Sequence, residues 1–483
     1  MPHADQTPEC TVFFLPGLGL DATSAASLAD EIDGRFRVVS VNLLDRGHAA
    51  SVDALADVAL ERIAAAADGG PFVLVGHSLG GKVAGRVMAR LLAGTEPVFG
   101  LAGAVLLAPS PPSPEPMPDE ARSQMQEWAA GEHLSPADAA AFLDDNLGAQ
   151  LDDRLRGAAL EAIVRQPASA WRDWLTTGSR EDATDLVGTL DLPVTVLAGD
   201  ADDDLGAAAQ PKLLGDVYPR ARFVALDGIG HLLPYEAPQR VAAEIAALWD
   251  EVASRSPRVP AAWGAVIAST RVDHAVRGTL ARRALADDPA ATPRAMTPTQ
   301  LDTLRALAAR LVPQGTPGID LALRVDAMLA DGSGDGWRPA GAPADRDAYR
   351  TGLDTVAAHW PTEPAAQDDL IQRLIADGIE PPGTEHHGAE DESDHVALTA
   401  GGIRSWFEDA RNDLMRVWLA HPASLARVGY DGFAVGGTGA EPVGWRTLGA
   451  GEREAWEPAE LGRPERGRKN DSEDTTQEDG STR

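Results

Sequence analysis

The chain has a single cysteine among its 483 residues, Cys10, so no intramolecular disulfide can hold it together, which fits a reducing compartment. Lysine is nearly as scarce. Lys82, Lys212 and Lys469 are the only ones, and arginine supplies the rest of the 42 basic residues. Against 74 acidic side chains they leave a formal net charge of -32. A surface that acidic repels phosphate backbones and anionic headgroups, which disfavours nucleic acid and membrane surfaces as partners. Aromatic residues make up only 5% of the chain, so aliphatic side chains must fill most of any core. No apolar run approaches the roughly 20 residues needed to span a bilayer, and residues 1–10 show neither the basic nor the apolar region of a secretory signal. A soluble, cytoplasmic protein is the expectation.

What is present is enough apolar sequence, 44%, to bury cores, spread over a length that implies roughly two to four domains. In the first half, short apolar runs recur at residues 11–15, 37–41, 72–75, 103–107, 194–197 and 223–226. Helical spacing lies between them at 22–32, 54–67 and 82–92. Strands alternating with amphipathic helices predict an α/β fold, a parallel sheet covered on both faces, with functional loops at the carboxyl ends of the strands. Between residues 110 and 190 the alternation stops. A proline-rich start is followed by helical stretches near 119–130, 136–147 and 155–164, which predicts an inserted helical cap over the loop side.

Several of those loops carry residues with chemical potential. Gly76-His77-Ser78-Leu79-Gly80 fits G-x-S-x-G between a strand and a helix, where a sharp turn exposes the serine hydroxyl. A hydroxyl is a poor nucleophile until a base takes its proton, and an acid must orient that base. Candidates for both follow in chain order: the acids Asp200, Asp202, Asp203 and Asp204, then His231 within Gly230-His231-Leu232. Pro16-Gly17-Leu18-Gly19 follows the first strand. With these motifs in this order, residues 11–253 resemble the α/β-hydrolase superfamily. The resemblance implies Ser78 as nucleophile, His231 as general base, and the backbone N–H groups of Leu18 and Leu79 as oxyanion hole. It favours Asp202 as the orienting acid, three residues after the glycine that ends its strand, with Asp200, Asp203 and Asp204 left open. Many relatives carry His-Gly where this chain has Pro16-Gly17, so the oxyanion loop departs from the family pattern. His77 reads as a turn-supporting neighbour, and Arg180 as a member of local ion pairs rather than a cation for an anionic substrate.

The second half is read as mainly helical. Residues 254–295 are expected as linker and connecting helix, with helical spacing over 262–285 and then at 299–311, 318–329, 345–360, 367–376 and 400–419. From Met296 through Arg350-Thr351-Gly352-Leu353 to Val428-Gly429-Tyr430-Asp431-Gly432 and Pro442-Val443-Gly444-Trp445, residues 296–450 resemble the gluconate 2-dehydrogenase subunit 3 family. That resemblance implies a helical accessory domain, over residues 296–461, bound to a flavin-dependent GMC-type oxidoreductase. No phosphate-binding glycine fingerprint sits between a strand and a helix here, and no cofactor is expected. The cluster Glu385-His386-His387 with Glu390, Asp391, Glu392, Asp394 and His395 offers metal-ligand side chains, but its contiguous, acidic sequence reads as a solvated loop, so no metal site is expected. Residues 462–483 are expected as a disordered tail.

Together these features predict a serine hydrolase acting on a small-molecule acyl substrate, an ester, lactone or similar bond, fused to an oxidoreductase accessory-like domain. The alternative is an assembly subunit for the flavoprotein, in which the hydrolase fold is only a scaffold.

Overall fold

A computed structural model describes residues 8–44, 51–333, 343–382, 398–430 and 432. Six strands, β1 (Cys10–Leu15), β2 (Phe36–Ser40), β3 (Phe72–His77), β4 (Leu101–Leu107), β5 (Val194–Gly199) and β6 (Ala221–Leu226), form one sheet in the order β2-β1-β3-β4-β5-β6. Every neighbouring pair is parallel, with Val12 beside Val73 and Leu106 beside Val196. The strands are apolar along their length because both faces are covered. Phe13, Leu15 and Leu74 point into one core, and Val12, Phe14 and Val75 into the other. Helices Val52–Ala66 and Leu79–Ala93 cover the first face; Ser24–Glu31 and Pro238–Glu251 cover the second. β1 and β3 are parallel neighbours, so the loops leaving their carboxyl ends lie side by side.

The cap occupies the connection from β4 to β5. Helices Asp119–Trp128, Pro136–Asp145, Asp153–Arg165 and Ala168–Asp173 build it, and the last runs on into a widened π-helical turn, Trp174–Gly178. Phe142, Ile163, Trp171 and Trp174 bury themselves in the same core as the first sheet face. The cap is therefore packed onto the sheet domain rather than suspended over it.

Residues 254–295 fold back onto that domain. The helical spacing over 262–285 is broken into two helices, Ala261–Ala268 and His274–Ala284, because Asp273 caps the second by accepting the Ala275 N–H at 2.8 Å. Trp263, Ile267 and Leu280 join the first core. Buried Arg277 donates to the carbonyls of Ile267, Ser269, Val272 and Gly94, closing the carboxyl end of helix Leu79–Ala93.

The helical domain has a core of its own, drawn from residues 295–414. Thr297 and Gln300 form a reciprocal capping box at the start of helix Pro298–Leu311. Helices Leu321–Ala330, Asp345–His359, Pro364–Ala376 and Ala400–Ala420 follow. Gly352, within the Arg350–Leu353 motif, is required by packing: a Cβ there would lie 2.2 Å from the Trp406 ring. A short helix, Pro422–Arg427, returns to the sheet domain, where Leu425 and Ala426 pack against its core. Residues 385–395, 442–445 and 462–483 lie outside the described residues. Among the described residues, no helix is long and apolar enough to cross a membrane.

Candidate active site

The loop after β3 makes a tight turn into helix Leu79–Ala93. Ser78 sits at φ 51°, ψ -119°, one of two non-glycine residues with positive φ among the described residues; Ala108, at the end of the adjacent β4, is the other. Such a backbone costs about 1–3 kcal/mol and persists only where its surroundings enforce it. They do so here through hydrogen bonds: Ser78 N–H donates to Leu107 O at 2.9 Å, and Ser78 O accepts from Gly81 and Ser110 at 2.8 and 3.0 Å. Ser78 is 8% exposed, and its hydroxyl engages no hydrogen-bond partner among the described residues.

His231 follows β6, and its Nδ1–H donates to Asp202 Oδ2 at 2.7 Å. Both side chains are largely buried. Of the four acids in the loop after β5, Asp202 is the one that reaches the imidazole. Its other oxygen accepts the N–H groups of Asp204 and Leu205, which fixes the carboxylate in place. Asp200 instead accepts the Gly228 N–H at 2.6 Å, and Asp203 and Asp204 are exposed. Burial pushes the Asp202 carboxyl up, but His231 and the two amides outweigh it, leaving Asp202 below the usual carboxylate range. Burial likewise pulls His231 down, but bonded Asp202, together with Glu115 and Asp204, raises it above the ordinary imidazole value.

The loop after β1 lies against the same point. Gly17 is pressed on Ser78 so closely that a Cβ there would be 3.0 Å from the serine Cβ and 2.6 Å from His77 Nδ1. Among the described residues, the N–H groups of Leu18 and Leu79 donate to no protein acceptor, while Gly19, Leu20, Gly81 and Lys82 all do. The amides of Leu18 and Leu79 are thus among the undirected ones around Ser78, at the start of helix Leu79–Ala93, where backbone N–H groups favour developing negative charge.

Neighbouring polar groups hold the loops together. His77 Nε2–H donates to His231 O at 2.8 Å, so Nδ1 is the bare nitrogen; burial, aided by the nearby charge of His231, holds this ring down at about 3 and hence neutral. Its role is to tie the serine turn to the histidine loop. Glu236, which the sequence reading passed over, accepts four amides: Gly148 and Ala149 of the cap, and Gly230 and Leu232 on either side of His231. Lys82, one of the scarce lysines, is buried; its Nζ donates to Ser113 O and Glu181 O, the two roots of the cap, and burial pulls it down to about 8. Ser110, bonded to Ser78 O, donates its hydroxyl to Glu115 at 2.9 Å. Arg180 is exposed and lies 3.9 Å from Asp119, a local pair. The contacts of His77, Glu236 and Lys82 have no sequence signature, since each is a single polar residue that meets backbone groups remote in the chain. Among the described residues, no three His, Cys, Asp or Glu side chains are grouped to hold a metal.

Residues 12–244 match a family model described as Alpha/beta hydrolase family. With the strand order and the turn at Ser78, this makes the sheet domain an α/β-hydrolase fold. A comparison with curated protein sequences gave no match. Among solved structures, a thermophilic esterase from Thermogutta terrifontis is similar at 23% identity, with 50% of this chain and 90% of that chain covered and a TM-score of 0.42. An esterase from Exiguobacterium antarcticum is similar at 12% identity over 50% and 91% of the two chains, TM-score 0.42. A hydrolase from Oleispira antarctica is similar at 15% identity over 50% and 92%, TM-score 0.43.

Proposed function

We propose that the protein is a serine hydrolase that cleaves an ester, lactone or similar acyl bond. The observation that carries this reading is the 2.7 Å bond from His231 to Asp202 beside a strained turn bearing Ser78. Asp202 holds the imidazole with its proton on Nδ1, which leaves Nε2 bare to accept the Ser78 proton. The serine oxygen attacks the acyl carbon, and the carbonyl oxygen becomes an oxyanion received by the amides of Leu18 and Leu79. His231 then passes the proton to the departing alkoxide. Water, deprotonated by the same Nε2, releases the acid from Ser78 and returns the proton to the serine. Asp202 stays ionised throughout and stabilises the imidazolium.

An activity-based fluorophosphonate tests this directly. Wild-type protein is expected to label at one serine, and Ser78→Ala to lose both the label and 4-nitrophenyl ester turnover, by roughly 10⁴-fold or more, without a change in melting temperature. Folded wild-type protein that neither labels nor turns over any ester or lactone would sink the reading. For the helical domain we propose binding to a flavin-dependent GMC-type oxidoreductase, supported by the sequence resemblance of residues 296–450. Copurification from the native host with a flavoprotein is the expected result, and its absence would remove the proposal.

A further inference from the structure

An oxyanion hole needs the loop after β1 to aim one amide, that of Leu18, at the site while its neighbours point elsewhere. Pro16 brings no N–H with which to anchor that loop. A tight turn does part of the work: Leu20 N–H donates to Gly17 O at 3.2 Å, and Gly19 adopts φ +77°. The remaining polar groups of the turn are taken by one side chain from the cap. Gln166, buried at the end of helix Asp153–Arg165, accepts the Gly19 N–H on Oε1 at 2.8 Å and donates from Nε2 to Leu20 O at 3.2 Å. A primary amide offers an acceptor and a donor in one plane, which matches the N–H of one residue and the C=O of the next.

Apolar packing reinforces the grip. Phe142 and Trp171, edge to face with ring centroids 4.8 Å apart, press on Gly19, where a Cβ would meet them at 3.0 and 3.2 Å. Next along the chain, Arg165 pairs with Asp21. Residues 19–21 are thus held by three successive contacts from the cap, while the Leu18 amide before them donates to no protein acceptor among the described residues.

The geometry points to Gln166 as a positioning residue for the oxyanion hole: it sets the direction of the Leu18 amide, so the hole is complete only with the cap seated. This rests on the proposed reading of Ser78 as nucleophile and Leu18 as oxyanion donor. Gln166 touches no reacting atom. It acts through the neighbouring Leu18–Gly19 peptide and the turn in which Leu20 N–H holds Gly17 O, the carbonyl of the peptide that carries the Leu18 N–H.

Gln166→Met preserves length and removes both hydrogen bonds. Its kcat on a 4-nitrophenyl ester is expected to fall roughly 10–100-fold, since one oxyanion donor is worth about 10²–10³, with KM within about threefold of wild type. Affinity for a trifluoromethyl ketone, whose adduct with Ser78 places an oxyanion in the hole, is expected to fall by the same factor. Gln166→Glu keeps an oxygen facing Gly19 N–H and is expected to lose less, roughly 3–10-fold in kcat with KM unmoved. The inference is overturned by a folded Gln166→Met enzyme with kcat within twofold of wild type, or by a loss that falls wholly in KM, as mere pocket packing would give. Should Gln166→Met fail to fold, an unchanged kcat in Gln166→Glu overturns it alone. Ester turnover that survives in Ser78→Ala would instead defeat the underlying hydrolase reading, and the two failures are distinguishable.

Discussion

Lys82 and Asp326 are both charged side chains buried at the 1% level, one in each half of the molecule, and they are used differently. Lys82 bonds carbonyls 31 and 99 residues away and so fastens both roots of the cap to the helix that begins at Ser78. Asp326 accepts the N–H groups of Arg294, Ala295 and Met296 and so closes the entry to its own domain. The contrast is general. In the sheet domain His77, Glu236 and Gln166 each join loops from separate parts of the chain around one point. In the helical domain Gln300 reaches Asp354, and Tyr349 donates to Asp413, ties between neighbouring helices. Buried polarity in the first half gathers loops around the candidate site; in the second it joins helices to one another.

The largest expected effect would break that contrast at its reactive end. Asp202→Asn should lower kcat by about 10⁴-fold, because the amide stabilises the wrong tautomer and no imidazolium. The sign of the pH effect follows from the geometry. Asp202 raises His231, and kcat/KM needs the neutral ring, so the wild-type acid limb should lie above 6.5 and the residual activity of Asp202→Asn should show it lowered. An acid limb that does not move would remove Asp202 from this role.

Next in size, Asp326→Ala should strip three amides of their acceptor, two of them buried and worth about 1–3 kcal/mol each, and destabilise the helical domain by roughly 3 kcal/mol or more. Urea unfolding followed by Trp fluorescence is the measurement, with ester turnover per folded molecule unchanged. Lost turnover at full folding would contradict the separation of roles between the halves.

The smallest effect is one the two halves share. His421 accepts the Ala423 N–H on Nδ1, so its Nε2–H donates to Ser256 Oγ at 3.2 Å, and burial holds the ring down at about 3. His77 is depressed to the same extent. A histidine whose folded value lies below its unfolded value of about 6.5 gives stability that is complete above 6.5 and lost as pH falls towards 3. Each should contribute about 1.4 kcal/mol of lost stability per pH unit below 6.5. His421→Gln should flatten the acid slope by one proton's worth; an unaltered slope would show that the ring is accessible to protons when folded.

The sheet and the Ser78, Asp202 and His231 order could be read from sequence because each depends on local pattern. Phe72–Val75 is apolar because β3 is covered on both faces, and the glycines around Ser78 mark the tight turn that follows. Among the four neighbouring acids, alternation does not say which carboxylate turns towards a histidine 29 residues on; only the resemblance, through the position three residues after the strand-ending glycine, favours Asp202. The break at Asp273 had a legible signal, an N-cap residue inside a helical pattern, and was passed over. Lys82, Gln166 and Glu236 had none: each sits in or beside a helix where a polar residue ordinarily faces water, and only the folded chain supplies the carbonyls and amides that they meet.

The helices Ala261–Ala268 and His274–Ala284 bear on how this protein can be divided. They seal the far end of the helix that starts at Ser78, and the returning chain locks over them: Trp263 Nε1–H donates to Tyr430 O at 3.2 Å, while Ser256 and Ala284 meet His421 through one hydroxyl. The helical domain is thus a loop drawn out from one buckle and fastened back into it. A cut at residue 253 would leave the carbonyls of Leu92 and Gly94 without the Arg282 and Arg277 that cover them, about four turns of helix from the serine. To shorten this chain without disturbing Ser78, one would excise between the two fastenings and keep both.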